Sequence, residues 1–275
     1  MFFFRKAAKK EIFYKTDDEV EAIRTSCLMV CDTLAEVAKV IKPGVTGNYI
    51  NKIAEEFIQD NNAIPSFKNY NSFPAGLCVS VNDQVVHGFP SDYEFRDGDI
   101  ISVDCGVYFN EYHGDAAYTF AIGDVKVDTM RLLKVTKDSL YKGIEFGIEG
   151  RRIGDISYAI EDYCRKYKYG IVKELTGHGI GRNLHEEPEV PNYGKRGSGI
   201  VLKSGLVIAI EPMITLGKRD IVTLSDNWTI ATRDKKPAAH YEHTIVVRKQ
   251  KADILSNHKK IEEEIKNNPE LREIL

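Results

Sequence analysis

Two aspartates of this 275-residue sequence have the residue type and the spacing expected of a catalytic or metal-binding pair. Asp104 and Asp115 lie in two neighbouring strand-like runs that a two-residue turn joins. A hairpin with such a turn sets Asp104 opposite Ala117 and Asp115 opposite Gly106. The two carboxylates then share one face as diagonal neighbours, with backbones roughly 7 to 8 Å apart. We therefore expect their oxygens to converge on one point, which Gly106 leaves open.

Two glutamates extend this cluster. Glu211 ends another strand-like run, and Glu242 lies in the last run of the chain, where Thr244 and Val246 share its face. Four carboxylates brought together are expensive to bury unless cations neutralise them, and two divalent ions would cancel their charge. The acids therefore predict a dinuclear metal site. Mostly oxygen donors, with no thiolate, favour Mn, Fe or Co over a structural zinc.

Three histidines are candidates to complete the site. His178 is flanked by glycines in the run T-G-H-G-I-G at residues 176–181, which lets the backbone approach a ligand or turn tightly. His87 and His185 each stand three residues before a proline. His243 follows Glu242 directly and should point to the other face of the strand, so we expect a structural role for it.

Other chemistries lack their motifs. The glycine run has neither the G-x-G-x-x-G spacing nor the lysine of a phosphate-binding loop, and His185 does not open an H-E-x-x-H sequence. No nucleophile elbow is present, and no cysteine has a nearby base. The residues alone thus indicate a two-metal hydrolase acting on a carbonyl or phosphoryl centre, and they leave the substrate open.

The elements that must position these residues occur twice. Shifting the sequence by 107 residues aligns a series of positions, the last of which superimposes Asp104 on Glu211. The other aligned pairs are Arg24 with Arg131, Gly47 with Gly154, Ile53 with Ile160, and Gly98 with Gly205. Such self-similarity predicts two related halves, about 18–122 and 127–248, that form a pseudo-twofold molecule.

Hydrophobic periodicity gives each half a helix pair followed by strands. The predicted helices are residues 18–40, 46–60, 127–149 and 154–168. The predicted strands are residues 77–81, 100–109, 112–122, 206–211, 229–232 and 241–247. Helices grouped before strands, twice, indicate an α+β class with a shared antiparallel sheet covered by the two helix pairs. The whole chain, 1–275, is then a single domain whose charged end after Ser256 is a solvated helical tail.

Composition limits the partners and the compartment. Lys plus Arg is 38 and Asp plus Glu is 41, a net charge of −3 that does not favour DNA binding. Five scattered cysteines argue against a disulfide framework, so we expect a cytoplasmic protein. The three phenylalanines at positions 2–4 precede basic residues, unlike a secretory signal, and no run is long enough to span a membrane.

The complete set of motifs resembles the methionine aminopeptidases, from about residue 15 to residue 250. The resemblance rests on His87-Gly88, Asp104 with Asp115, residues 177–181, His185 to Pro188, Glu211 to Met213, and Tyr241 to Thr244. The short step from His185 to Glu211 leaves no room for the helical insertion of type II enzymes. The chain therefore resembles the type I, bacterial form.

The resemblance implies the pseudo-symmetric pita-bread fold and a role for each residue. One metal would be held by Asp115, His178, Glu211 and Glu242, and the other by Asp104 with the bridging Asp115 and Glu242. Glu211 would also handle protons, His185 would polarise the scissile carbonyl, and His87 would contact the peptide nitrogen. The implied substrates are nascent chains whose initiator methionine precedes a small residue. The two divalent ions could be Co, Mn, Fe or Zn.

The same resemblance implies an apolar pocket for the methionine side chain. Its walls would be Phe67, Tyr70, Phe73, Cys78, Leu184 and Trp228. Three residues depart from common family patterns and leave the pocket depth open: Leu184 where bacterial enzymes often have Phe, Phe67 where some have Cys, and Gly106 where Thr is frequent. The change at Gly106 is expected to open the metal site slightly.

Two alternative functions are compatible with the same fold. A proline-directed peptidase of the same fold would usually carry an additional amino-terminal domain, and a non-catalytic pita-bread protein would have lost its metal ligands. We also expect a monomer that contacts the ribosome through five basic residues of the second-half loops. These are Lys218, Arg219, Arg233, Lys235 and Lys236.

Overall fold

The computed structural model describes residues 11–274, so the first phenylalanines and the basic residues that follow them lie outside the described range. Its helices are α1 (Asp17–Val40), α2 (Gly47–Asp60), α3 (Val127–Ile144), α4 (Ile153–Arg165) and α5 (Lys259–Asn267). Its strands are β1 (Ile64–Pro65), β2 (Leu77–Val81), β3 (Gln84–Val86), β4 (Ile100–Phe109), β5 (Tyr112–Ala121), β6 (Gly170–Ile171), β7 (Thr176–Gly179), β8 (Glu186–Pro191), β9 (Val207–Ile210), β10 (Met213–Thr215), β11 (Ile221–Thr223), β12 (Ile230–Thr232), β13 (Ala238–His240), β14 (His243–Val246) and β15 (Asp253–Ile254).

Local sequence explains the first helix pair. Thr16 caps α1 by accepting a hydrogen bond from the Glu19 backbone, while the Glu19 carboxylate accepts one from the Thr16 backbone. Thr46 caps α2 in the same way through the Tyr49 backbone. Each helix buries one apolar stripe, and α1 packs across β4 and β5. The predicted helices are confirmed, although α3 ends at Ile144, earlier than expected.

The hairpin of β4 and β5 has the predicted register. Asn110 and Glu111 adopt positive φ values of 46° and 69°, as both central residues of a type I′ turn must. Asp104 accordingly faces Ala117, and Asp115 faces Gly106. Both aspartates therefore lie on one face of the hairpin, in the middle of long strands.

The two halves have the predicted related topology. In the first half, β4 pairs with β1, β2 and β5. In the second half, β9 and β10 together correspond to β4: β9 pairs with β7 and β14, and β10 pairs with β6 and β13. Equivalent glycines keep the same backbone shape, with φ of +90° at Gly98 and +86° at Gly205. Every strand ladder in the described part is antiparallel.

The halves meet along β5 and the segment around β14. The backbone N–H of Glu242 donates to the carbonyl of Ala117 at 3.0 Å, and the Thr244 hydroxyl donates to the carbonyl of Asp115 at 2.8 Å. The expected shared sheet is thus built from several short ladders. The second-half strands are shorter than predicted because they break at Glu211-Pro212 and at Tyr241-Glu242.

The carboxyl-terminal segment is a docked helix, so the expectation of a solvated tail is wrong. Ile261 and Ile265 of α5 are buried against α1. The side-chain amide of Asn268 also donates to the carbonyls of Ala38 and Ile41, both at 2.8 Å. The charged residues that suggested solvation occupy only the outer face of this helix. Across residues 11–274, none of the helices is long and apolar enough to cross a bilayer.

Candidate metal centre

The five predicted metal ligands come together where the two halves meet. They are Asp104 in β4, Asp115 in β5, His178 in β7, Glu211 directly after β9, and Glu242 directly before β14. Ligand atoms of Asp115, His178 and Glu242 all lie within 4.8 Å of one another, and these three residues are buried. Asp104 and Glu211 line the same cavity and are partly exposed to it.

The imidazole of His178 is oriented for coordination. Its Nδ1 lies 2.9 Å from the carbonyl of Gly179, which can only accept a hydrogen bond, so Nδ1 carries the proton. The unprotonated Nε2 therefore points at the acids, 3.8 Å from Asp115 Oδ2 and 3.8 Å from Glu211 Oε1. A backbone acceptor of this kind typically orients a metal-binding histidine.

The glycines around His178 serve strand packing. A Cβ at Gly177 would lie 2.3 Å from the carbonyl oxygen of Ala209, and a Cβ at Gly179 would lie 2.3 Å from that of Glu187. Neither contact is sterically possible. The glycine run thus allows β7 to lie against β8 and β9, and the ligand-approach alternative is unnecessary.

The acids have the properties expected of metal ligands. Asp104 Oδ1, Asp115 Oδ1 and Glu242 Oε1 are buried and accept no hydrogen bond within the described structure. Burial raises the pKa of Asp104 to about 7 and that of Glu211 to about 8, and it raises the pKa values of Asp115 and Glu242 well above normal. Unpartnered buried oxygens and unfavourable carboxylate charge are both relieved by cations, so the donor set fits divalent metal ions.

One histidine beside the acids escaped the sequence analysis. His240 is 1% exposed, and its Nε2 lies 3.5 Å from Glu211 Oε2. It stands two residues before Glu242, and alternation along a strand would have put both side chains on one face. By contrast, His243 bonds Ser256 and Tyr141 at 2.7 and 3.1 Å, in agreement with its expected structural role.

The other two candidate histidines also line the cavity. The ring of His185 is 4.3 Å from the ring of His178, and its Nδ1 lies 2.7 Å from the Tyr70 hydroxyl. His87 packs edge-on against Trp228, and burial lowers its pKa to about 4. Both rings are therefore available to a molecule bound in the cavity.

All the predicted pocket residues line a cavity of about 310 Å³ whose floor is the acid cluster. They are Phe67, Tyr70, Phe73, Cys78, Leu184 and Trp228, and the sequence analysis did not foresee Asn71 among the lining residues. The ring of Phe73 meets that of Trp228 edge-on at 5.2 Å. The cavity thus combines an apolar wall with an acidic floor.

Gly106 does not open the metal site, contrary to expectation. A Cβ at this position would lie 2.7 Å from Cε1 of Phe67 and 2.9 Å from Cβ of Ser66. The space that the missing side chain leaves is therefore filled by the Phe67 ring. The two unusual residues, Gly106 and Phe67, are one packing arrangement.

Comparison with known proteins identifies the family. The profile described as metallopeptidase family M24 matches residues 21–249. A methionine aminopeptidase of Clostridium acetobutylicum is 47% identical over 246 residues, which are 89% of this chain and 98% of that protein. The chain belongs to the M24 methionine aminopeptidases.

Solved structures agree with this membership and with the pita-bread fold expected for M24 methionine aminopeptidases. The crystal structure of methionine aminopeptidase from Rickettsia prowazekii is similar with a TM-score of 0.89 and 39% identity. The match covers 90% of this chain and 100% of that one.

Proline-directed relatives share only the fold. Prolidase from Pyrococcus furiosus is 20% identical with a TM-score of 0.72, and the match covers 89% of this chain but 65% of the prolidase. The remaining part of the prolidase has no counterpart in the match. This likeness gives no support to a proline-directed activity.

Proposed function

We propose that this chain is a metal-dependent aminopeptidase that removes the initiator methionine from nascent proteins with a small second residue. The observation that carries the proposal is the convergence of four acids and His178 in one cavity that also has an apolar wall. Family membership supplies the reaction. The preference for a small second residue follows from the family resemblance.

The proposed metal ligands follow the acid cluster. Asp115, His178, Glu211 and Glu242 would hold one divalent ion, and Asp104 would hold a second together with Asp115 and Glu242. The unpartnered oxygens of the aspartates and Glu242 support this assignment. Bound cations of this class activate water and polarise carbonyl groups, which is the chemistry that peptide hydrolysis requires. The candidates stay Co, Mn, Fe and Zn.

In this proposal, three side chains transfer protons, stabilise developing charge or contact the substrate. Glu211, which lines the cavity beside His178, would accept a proton and pass it to the leaving amine, as the family resemblance implies. If the Tyr70 hydroxyl donates to Nδ1 of His185, Nε2–H is free to stabilise the carbonyl oxygen as it becomes negative. His87, which also lines the cavity, would contact the substrate nitrogen.

The apolar wall would select the first side chain. Phe67, Phe73 and Leu184 are almost fully buried, and Cys78 offers a polarisable sulfur. An unbranched thioether fills such an irregular apolar cavity well. The acidic floor, close by, suits the free α-amino group of a peptide, so only the first residue would be removed.

Two peptides test the proposed specificity. Metal-loaded protein should hydrolyse Met-Gly-Met-Met and leave Gly-Gly-Met-Met intact, and Glu211→Ala should lose most of the turnover. Equal rates on the two peptides, or no hydrolysis with Mn, Co or Fe, would contradict the proposal. Cleavage of X-Pro dipeptides would revive the proline-directed alternative, whereas absence of bound metal by elemental analysis would support a non-catalytic protein.

The remaining proposals concern where the enzyme acts. We place it in the cytoplasm as a monomer, in contact with nascent polypeptides. The five basic residues predicted to meet the ribosome are all exposed, and Arg219 lies 3.6 Å from Glu174. Salt-sensitive co-sedimentation with ribosomes is the expected result for such an electrostatic contact, and its absence at low salt would refute it.

A further inference from the structure

His240 has no explanation as a core residue. It is 1% exposed, and neither Nδ1 nor Nε2 has a hydrogen-bond partner among the described residues. Burying an unpaired polar ring is costly, and an apolar side chain of similar size would fill the same space without that cost. The ring therefore needs a partner, and its Nε2 lies 3.5 Å from Oε2 of Glu211.

The backbone of His240 is fixed by the opposite half of the molecule. Its N–H donates to the Thr119 hydroxyl oxygen at 3.1 Å, and that hydroxyl donates to the His240 carbonyl at 2.7 Å. Thr119 belongs to β5, the strand that carries Asp115. The backbone that carries the ring is thus held by the same strand that carries Asp115, one of the proposed bridging ligands.

The carboxylate of Glu211 lies between two imidazoles. Its Oε1 is 3.8 Å from Nε2 of His178, and its Oε2 is 3.5 Å from Nε2 of His240. The two oxygens consequently have different surroundings, since one faces the ring oriented for a metal and the other faces His240. A separation of 3.5 Å exceeds a normal hydrogen bond, but contacts at catalytic centres commonly shorten when a ligand binds.

We propose that His240 is a positioning residue of the metal centre, which donates Nε2–H to Oε2 of Glu211 and so turns Oε1 toward the metal beside His178. This inference rests on the metal centre proposed above. It adds a side chain that holds a ligand in place without itself coordinating an ion. Second-sphere groups of this kind commonly affect metal affinity about 10- to 100-fold.

Two substitutions of His240 separate positioning from other roles. His240→Gln keeps an N–H donor near the position of Nε2, whereas His240→Leu fills the space without a donor. Titration calorimetry with Mn²⁺ on the chelated full-length protein should show binding about 10- to 100-fold weaker for His240→Leu. For His240→Gln, we expect an affinity within about threefold of the original protein, because the hydrogen bond is retained.

Steady-state kinetics of the variants provide a second readout. With Mn²⁺ at saturating concentration, His240→Leu should lower kcat more than it raises KM for a Met-Gly peptide, since the pocket is untouched. His258→Leu is the control for loss of a buried imidazole that does not line the cavity, since its ring stacks on that of His243 at 3.8 Å. Thermal unfolding of all variants shows whether any loss reflects stability alone.

The possible outcomes decide the matter. Unchanged Mn²⁺ affinity and kcat in His240→Leu would overturn the inference. An equal loss of Mn²⁺ affinity in His240→Leu and His240→Gln would overturn it in favour of direct coordination by His240. If His240→Leu does not fold, a structure of the Mn²⁺-loaded original protein decides: an Nε2 to Oε2 separation of about 2.7–3.2 Å supports positioning, and 3.5 Å or more refutes it. Failure of the original protein to bind metal would instead refute the proposed function itself.

Discussion

The two halves of the molecule deliver acids to one centre in different ways. In the first half, β4 and β5 are continuous ten-residue strands, and the short acids Asp104 and Asp115 lie within them. In the second half, the equivalent strands break, and the longer acids Glu211 and Glu242 stand at the breaks. Both halves therefore bring carboxylates to the same place, but they differ in side-chain length and in the path of the backbone.

The chain itself explains why the second half breaks. Pro212 follows Glu211 and has no N–H to continue a ladder, so β9 ends before it and β10 begins after it. The carbonyl of Glu211 accepts instead from the Asn192 side chain at 2.9 Å. A glutamate has one methylene more than an aspartate and can still reach the centre from this displaced position.

The strongest test of this comparison exchanges the lengths of the acids. Asp115→Glu pushes a carboxylate into the centre, and Glu242→Asp withdraws one, although charge is unchanged in both. Because each alters a proposed bridging ligand, we expect kcat/KM to fall about 10³-fold, corresponding to about 4 kcal/mol of lost metal-assisted stabilisation. Peptide hydrolysis at saturating Mn²⁺ measures it. Asp128→Glu, on the exposed first turn of α3, controls for the added methylene. Activity close to the original for either exchange would mean that reach does not distinguish the halves.

A second test asks whether the buried carboxylates of the two halves destabilise the fold when they are charged and no metal is bound. Burial raises the pKa of Asp104 to about 7 and that of Glu211 to about 8. Carboxyls with raised folded pKa values stabilise the fold fully below their unfolded values near 4, and this contribution is lost as pH rises through the folded values. Chelated protein should therefore unfold at a lower temperature at pH 8.5 than at pH 5.5, by roughly 5 °C.

Metal should reverse that trend. Ions bind the deprotonated acids, so Mn²⁺ should raise the unfolding temperature more at pH 8.5 than at pH 5.5. Asp104→Asn removes one titrating group and should reduce the pH dependence of the chelated protein. An equal metal-induced shift at both pH values would argue that the acids do not share one centre.

The smallest expected effect concerns packing that exists only in the first half. Gly106→Thr would force Phe67 from its place, because a Cβ there lies 2.7 Å from its ring. We expect a loss of about 1–3 kcal/mol in the free energy of unfolding, with a raised KM for Met-Gly peptides. Phe67→Cys in the same chain should restore part of both. Additive effects in this double-mutant cycle would show that the two residues are independent.

The first half was largely predictable because its chemistry is local. A two-residue turn fixes the register of β4 and β5, and alternation then places Asp104 and Asp115 on one face. No long-range information is needed. The helix pairs and the pairing of Asp104 with Glu211 followed equally from periodicity and from the repeat.

The second half was harder because non-local contacts decide it. The side chain that caps the carbonyl of Glu211 comes from Asn192, which no spacing rule connects to it. His240 was not predicted, although alternation along a strand places a residue two positions before Glu242 on the same face as Glu242. The space at Gly106 looked open because its occupant, Phe67, is distant in sequence.

An anomalous difference map of crystals grown with Mn²⁺ tests the central claim most directly. The account predicts two peaks between Asp115 and Glu242, one beside His178 and Glu211 and the other beside Asp104. A map in which manganese is absent from these acids, or lies only at the protein surface, would contradict it.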